Sequence, residues 1–415
     1  VRANQIIVAT GAIERPIAFA NNDRPGVLLS SAARGLVERY GVAPGLSGVV
    51  FANNDEGYRT ALQLRETGVG VSRIIDVRDD AQSELVDAAR AAGIEIASGH
   101  AIAAVETTFG GRAISGVKIA PYSSSRGRVV NENRIACDFV AVSGGWNPAV
   151  HLWCHNGGKL RFDEVAQTFR PDRHGDAMHI AGSANGTMLL GDCLQEGFDT
   201  GEAAATAALP KPRASKLKPA SGQQETQAAL EPIWFAPATG KYNEGNKHFI
   251  DFQNDVTAAD LELAQREGYV SVEHTKRYTT LGMATDQGKT SNINGLGVVS
   301  QATGRDIPEI GTTTFRPPYT PISFGSIAGT SVGKLFLPVR KTAIYAWHKA
   351  NGGDFEPVGH WRRAYCYPRG GEDRHFAVKR EIMNVRDAVG LLDASTLGKV
   401  EIKGPDAGKL LDRIY

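Results

Sequence analysis

The chemistry open to this chain first shows where short apolar runs stop at glycine. "IIVATGA" (residues 6–12) and "MHIAGSANGTMLLGDCLQEGFDTGEAAATAAL" (178–209) each read as a strand followed by a glycine turn, and the second leads into a helix of small residues. Glycine lets backbone approach a bound group closely, and a helix N-terminus behind the turn offers unpaired N–H groups with partial positive charge. A third candidate, "FANNDEGYRTA", follows the strand-like Gly48-Val49-Val50-Phe51. A dinucleotide phosphate loop requires G-x-G-x-x-G at that point. Ala52 and Asn54 stand at the first two glycine positions, and Gly57 alone survives. Asp55 and Glu56 then place two carboxylates where a phosphate would sit, which suits an empty helix terminus and repels a dianion. The loop reads as a Rossmann-like unit that has lost its ligand, and Asp76, at the ribose-binding position of the next strand, carries little weight alone.

Other catalytic constellations are missing. No Ser/His/Asp group, paired carboxylates or metal-ligand spacing rises above background among the ten histidines and their neighbours. His151 and His155, four apart, share a helix face, but two ligands do not make a zinc site. Cys137, Cys154, Cys193 and Cys366 show no C-x-x-C spacing, so reduced, buried thiols are expected rather than disulfides or zinc.

The elements that must position these turns follow from the pattern. Residues 1–207 alternate β-branched runs with helical stretches, the α/β signature. A strand at 48–51, a helix at 57–66 and a strand at 73–77 make an intact βαβ unit, followed by β-rich sequence from Gly99 to Val142 with a polar turn at Ser123-Ser124-Ser125. This unit, about 45–143, interrupts a first nucleotide domain whose pieces are 6–12 and 178–209, with "AVSGGWNPAVHL" (141–152) as the returning crossover. That is the layout of two-dinucleotide-domain flavoproteins. Residues 208–244 read as a linker, because the Pro-, Lys-, Ser- and Gln-rich stretch to residue 230 offers little to bury. A helical block covers 245–300, with Thr257 as N-cap, Asp260 three residues on, and a stop at Gly268. An extended connector spans 301–339, and an α+β segment occupies 340–415.

Composition fits a multidomain globular protein of 415 residues, with 42% hydrophobic and 22% charged residues and a net charge of +1. Near-neutral charge argues against nucleic-acid or membrane-surface partners, and no apolar run approaches the roughly 20 residues that span a bilayer. The expected compartment is cytoplasmic. The absence of an initiator methionine, the apolar run at residue 6 and the helix running into Tyr415 give the expectation that the sequence is a fragment.

The longer motifs carry a specific resemblance. "ATGAIERPIAFANNDRPGV", "RYGVAPG", "VVFANNDEGY", "IDFQNDVTAADL", "HTKRYTTLGMATDQGKTSN" and "VGLLDASTLGKVEIKGPDA" together resemble the alpha subunits of heterotetrameric sarcosine oxidases, in order along the whole chain. The resemblance implies an α/β multidomain protein. Its parts are a two-dinucleotide-binding-domain, Rossmann-like region, a small helical [2Fe–2S]-type domain without its cluster, and the start of an aminomethyltransferase-like (folate-binding) α+β domain. It implies one subunit of an oxidoreductase acting on CH–NH bonds, which converts sarcosine, tetrahydrofolate and O2 to glycine, 5,10-methylenetetrahydrofolate and H2O2. The implied partners are the beta, gamma and delta subunits. The implied cofactors are NAD in this subunit, FMN at the junction with the beta subunit and FAD within the beta subunit. No catalytic residue is assigned to this chain.

Within that resemblance, Ser183, Met188 and Leu190 match NAD-contact positions although their side chains depart from the family's choices, so contacts are expected through backbone. Thr10, Gly11, Ala12 and Gly182 line the same cleft, and the missing upstream glycine loop leads to the expectation that residues 1–415 alone bind NAD weakly or not at all. Asp251, Gln253, Asp286 and Ser291 fall at the four cluster-ligand positions, where iron requires soft thiolates, so no cluster is expected. Lys276, Arg277 and Lys289 form a basic face, solvated unless it meets a phosphate. Asp393 reads as a turn residue, and Trp361 and Tyr365 as packing aromatics. Two other readings stay open: a subunit of a related amino-acid or opine dehydrogenase, and a non-catalytic scaffold.

Overall fold

The computed structural model describes residues 3–122, 133–172, 177–209, 218–220, 222, 226–236 and 247–415. It divides into two units, 1–321 and 322–415, and the Ser123-Ser124-Ser125 turn lies outside the described residues. In the first unit, β1 (Ile6–Val8), β2 (Ala12–Glu14) and β3 (Val27–Leu29) lead into α1 (Ser30–Tyr40). There follow β4 (Ser47–Ala52), α2 (Glu56–Glu66), β5 (Gly70–Asp76), α3 (Glu84–Ala91), β6 (Glu95–Ser98), β7 (His100–Thr107), β8 (Ile114–Pro121), β9 (Asn133–Ile135) and β10 (Phe139–Ser143). Strands β3-β10-β4-β5-β6 form a parallel five-stranded sheet.

Both faces of this sheet are covered, so its strands carry near-continuous apolar runs rather than alternation. On one face Ala33, Tyr58, Ala61, Leu64, Val86 and Ala89 of α1–α3 pack on Val50, Ile74 and Phe139. On the other, Ile102, Val105, Val117 and Ile119 of the antiparallel β7-β8-β9 sheet pack on Val49, Phe51 and Ile75. Gly57 earns its place in this packing: a Cβ there would lie 2.4 Å from the Ala52 Cβ. The one glycine surviving from the phosphate-loop pattern is thus needed for helix–strand approach.

The interrupted first domain closes around this insert. β11 (Trp146–Pro148) pairs antiparallel with β2, and α4 (His151–His155), β12 (Leu160–Asp163) and β13 (Thr168–Pro171) follow. β14 (Met178–Ile180) pairs parallel with β1, Ile6 opposite Met178, and leads through a 3-10 turn at Gly182–Asn185 into α5 (Leu190–Ala208). The two segments 6–12 and 178–209 are therefore neighbouring strands of one sheet.

The linker expected over 208–244 is partly built into the core. Ile233, Trp234, Phe235 and Ala236 are buried, and Ala18 pairs with Phe235. Trp234 lies under the fully buried Arg15 guanidinium, 5.0 Å from ring centroid to carbon. The helical block contains β15 (Phe249–Asp251), β16 (Val256–Thr257), α6 (Ala258–Arg266), α7 (Val272–Thr279) and α8 (Asn292–Thr303). Its first helix starts at the expected place, with Thr257 and Asp260 forming a reciprocal capping box. The connector expected to be extended over 301–339 includes two short helices, α9 (Ile307–Ile310) and α10 (Phe324–Ala328).

In the second unit β17 (Arg340–Lys341) and β18 (Asp354–Val358) flank β19 (Trp361–Cys366), with α11 (Tyr345–Ala350), α12 (Arg374–Asp387) and α13 (Ala407–Ile414) around them. Asp393 is more than a turn residue. One carboxylate oxygen accepts from the Ser395 N–H at 2.9 Å, and the other meets His348 Nε2 at 2.9 Å, while His348 Nδ1 bonds the Tyr367 hydroxyl. Bonds from Ser395, then from His348, hold its pKa below the ordinary carboxylate value. A depressed folded pKa adds stability above the unfolded value, about 4, that is lost as pH falls through the folded one. Relative to the intrinsic rate at each pH, amide exchange in residues 345–366 is therefore expected to become faster below about pH 4 in the wild type. Asp393→Asn should show that faster exchange already at pH 7; equal protection at pH 7 would contradict the role given to this carboxylate. Trp361 and Tyr365 meet arginines rather than other rings, with Arg340 5.9 Å and Arg374 4.9 Å from the respective centroids.

Candidate functional site

A cavity of about 470 Å³ opens between the ends of β1, β4, β11 and β14. Ala12, Ser183 and Met188 line one wall, Asn54, Asp55 and Glu56 another. Gly145, Trp146 and residues 227–230 complete it. Sequence reasoning treated the glycine turns at 11 and 182 and the loop 52–57 as rivals. In the structure Ala12 and Ser183, which follow the two glycines, line the same space as residues 54–56 of the loop, a size typical of small-molecule sites.

The glycine turns are built for close approach. Gly11 has φ +78°, and the nearest atom to a Cβ there would be Ser183 Oγ at 3.9 Å. Thr10 Oγ1 donates to the Ala149 carbonyl at 2.6 Å, and the Ala149 N–H donates to the Gly11 carbonyl at 2.9 Å, which fixes the first turn against the crossover. Gly182 has φ +69°, and its N–H is committed: it donates to Glu196 at 2.7 Å, a carboxylate that also accepts from Asn185 Nδ2. Of the expected residues, Ala12, Ser183 and Met188 line the cavity, whereas Thr10, Gly11, Gly182 and Leu190, the last 67% exposed, are not part of its lining. The N-terminus of α5 has no side-chain cap. Burial, then the Glu196 and Asp192 carboxylates, push the nearby Cys193 thiol up, which disfavours its thiolate.

The opposite wall is sealed by the protein itself. Arg78 donates from Nη1 to Asp55 at 2.8 Å, from Nη2 to Asp76 at 2.8 Å, and from Nε to Asp76 at 3.0 and 3.1 Å. The Tyr58 hydroxyl donates to Asp76 at 2.7 Å. All four side chains are at least nine-tenths buried. Burial alone would lower the Arg78 pKa, but Asp76 and then Asp55 outweigh it and hold it raised. Residues 226–231 lie across the loop as a strap, with the Ala228 N–H donating to Asp55 at 2.8 Å and the Glu231 N–H to the Asn53 carbonyl at 3.1 Å. Asp76, at the ribose position, holds Arg78 and Tyr58, and the phosphate position of the loop is occupied by Asp55 and the strap.

Arg78, Glu196 and the strap were missed in the sequence. Parallel neighbours β4 and β5 end together, Ala52 opposite Asp76, so an acid three residues past one end and an arginine two past the other were a readable signal. Glu196 had none, since nothing in its spacing marks a helix side chain that reaches back to the preceding turn.

At the four positions aligned with cluster ligands, oxygen side chains bind the local loops. Asp251 accepts from the N–H groups of Gln253, Asn254 and Gly282, and Gln253 Oε1 accepts from the Asp286 N–H. Asp286 in turn accepts from the Gly288 N–H, and Ser291 Oγ is buried without a partner among the described residues. Among the described residues, no group of three or more His, Cys, Asp or Glu side chains gathers at metal-binding spacing, and no helix is long and apolar enough to cross a membrane. Lys289 packs over Tyr319, 4.3 Å from its centroid, while Arg277 on α7 is exposed.

Residues 245–331 match the sarcosine oxidase A3 domain and residues 344–415 the GCVT N-terminal domain. Over its full length the chain is 42% identical to the sarcosine oxidase subunit alpha of Corynebacterium sp. (strain P-1) and 42% identical to that of Rhizobium meliloti (strain 1021). The chain is a homologue of the sarcosine oxidase alpha subunit. It spans about two-fifths of those relatives, 42% and 40% of their lengths. Among solved structures, L-proline dehydrogenase from P. horikoshii shares the fold at a TM-score of 0.52 and 21% identity, over 77% of this chain and 58% of that one. This homologue is thus an α/β multidomain chain in which a Rossmann-like region precedes the A3 domain and a GCVT N-terminal domain.

Proposed function

We propose that this chain serves as the alpha-type subunit of a sarcosine-oxidising complex, and that the cavity between Ala12, Ser183 and Gly145 is its NAD site. The observation that carries the proposal is that Ala12 and Ser183, the residues directly after the two split glycines, line one cavity, in a chain alike to sarcosine oxidase alpha subunits from end to end. The residues fit a nucleotide on one side. Ala12 and the Ser183 hydroxyl line that side, beside the positive-φ turn at Gly11. On the other side Asp55 and Glu56 repel phosphate, so a nucleotide must enter along the Gly11–Ser183 wall.

In the complex, sarcosine, tetrahydrofolate and O2 would give glycine, 5,10-methylenetetrahydrofolate and H2O2, with FAD and FMN handling the electrons and FMN at the beta-subunit junction. The contribution of this chain is to bind: the cavity orients the nucleotide, and the second unit supplies part of the folate domain. The other reading, a non-catalytic scaffold that has lost its ligands, predicts neither NAD binding nor turnover. Co-expression of the full-length subunit with its beta, gamma and delta partners, followed by an absorbance spectrum and a sarcosine-dependent peroxide assay, separates them. Bound flavin with peroxide release is expected; a colourless, inert complex would overturn the proposal.

A further inference from the structure

The first unit holds a second, smaller cavity that the nucleotide reading does not use. It measures about 50 Å³ and lies between β11 and α4 on one side and the start of α8 on the other. Ile13, Phe169 and Phe315 contribute apolar walls, and His151, Asn147 and Lys289 contribute polar ones.

The polar groups here are incompletely used. His151 is 4% exposed, with its ring 4.3 Å from that of Phe315 and 5.3 Å from that of Tyr319. Neither ring nitrogen has a hydrogen-bond partner among the described residues. Burial, then Lys289 and His155, push its pKa down to about 4, with Asp286 opposing, so the ring is neutral near pH 7. A neutral imidazole offers one donor and one acceptor, and leaving either unmade in the interior is unfavourable. Asn292 Oδ1 is a further unpartnered acceptor on the same wall. The Lys289 ammonium gives one proton to the Tyr319 carbonyl at 2.5 Å and keeps two more. The Asn147 carbonyl oxygen accepts from Arg15 and Thr168, which leaves its NH2 end uncommitted.

We propose that this cavity binds a small zwitterion of glycine size, its carboxylate held by Lys289 and the Asn147 amide and its ammonium by the unprotonated nitrogen of His151. The donor set selects the class. A simple anion would take Lys289 and a His151 N–H but leave the Asn292 oxygen unanswered, and a simple cation would face Lys289. A zwitterion answers both sets and adds no net charge to the interior, where an unpaired ion is costly. The cavity volume equals roughly three to five water sites at 10–15 Å³ each, so Phe315 and Ile13 exclude larger side chains. The inference rests on these groups and not on the redox reading, although the amine substrate and product of that reading belong to the same class.

The test uses the assembled full-length complex, with radiolabelled glycine in equilibrium dialysis. The wild type is expected to bind one glycine per chain more than Lys289→Met or His151→Phe, each at least tenfold weaker at this site, with NAD affinity and melting temperature unchanged. Acetate, methylamine and leucine should each compete at least tenfold less well. A crystal structure grown with glycine should show it bridging Lys289 and His151. Equal glycine stoichiometry and affinity in both variants, or a cavity holding water alone in that crystal, would overturn the proposal.

Discussion

Arg78→Met is expected to lower the unfolding free energy by about 3–5 kcal/mol. The guanidinium is the shared counter-charge of two carboxylates, Asp55 and Asp76, whose side chains are almost wholly out of water. Removing it leaves two like charges buried beside each other and the Tyr58 hydroxyl serving an uncompensated acid. It also frees the Ala229 carbonyl, which Nη1 meets at 3.3 Å, so the strap loses a contact over the loop. Arg78→Lys should recover only part of the loss, because an ammonium cannot reproduce the forked contacts to both acids. Urea unfolding of the three proteins measures this directly. A loss below 1 kcal/mol for the methionine variant would show that the network is not what closes the loop.

Gly57→Val is the second large effect, a loss of about 1–3 kcal/mol or more. The added Cβ would start 2.4 Å from the Ala52 Cβ and near Val50, atoms of the central strand that cannot swing away. Relief requires α2 to lift from the sheet, and that motion pulls on Asp55 and Tyr58 together. Thermal melting and the loss of Arg78–Asp55 pairing in a crystal structure check this. An unchanged melting temperature would restore the older meaning of a glycine at this position, namely room for a ligand.

These two residues show what could and could not be read beforehand. Local pattern was enough for the parallel strands 47–52 and 70–76, for the Thr257–Asp260 cap and for the split first domain, because each rests on apolar runs or on contacts a few residues apart. The glycine turns at 11 and 182 were visible for the same reason. The strap was not. Its residues are polar and small, and what fixes them is backbone N–H donation from Ala228 and Glu231, which any sequence can supply. The unity of the cavity was hidden as well, since Asn54 and Ser183 meet only through the crossover at Gly145. The acid at Asp55 was legible, but its partner lay 23 residues away. The burial of Trp234 under Arg15 likewise depends on a cation with no carboxylate partner among the described residues, a pairing that periodicity cannot reveal.

The central claim is that NAD enters along the Gly11–Ser183 wall and not at the loop 52–57. Isothermal titration of NAD into the full-length complex tests it, comparing wild type with Ser183→Trp, which fills the cavity, and with Asp55→Asn, which uncovers the loop. One NAD per alpha-type chain is expected in the wild type, with at least a hundredfold weaker binding in Ser183→Trp and an Asp55→Asn affinity within about threefold of wild type. Undiminished binding in Ser183→Trp would contradict it.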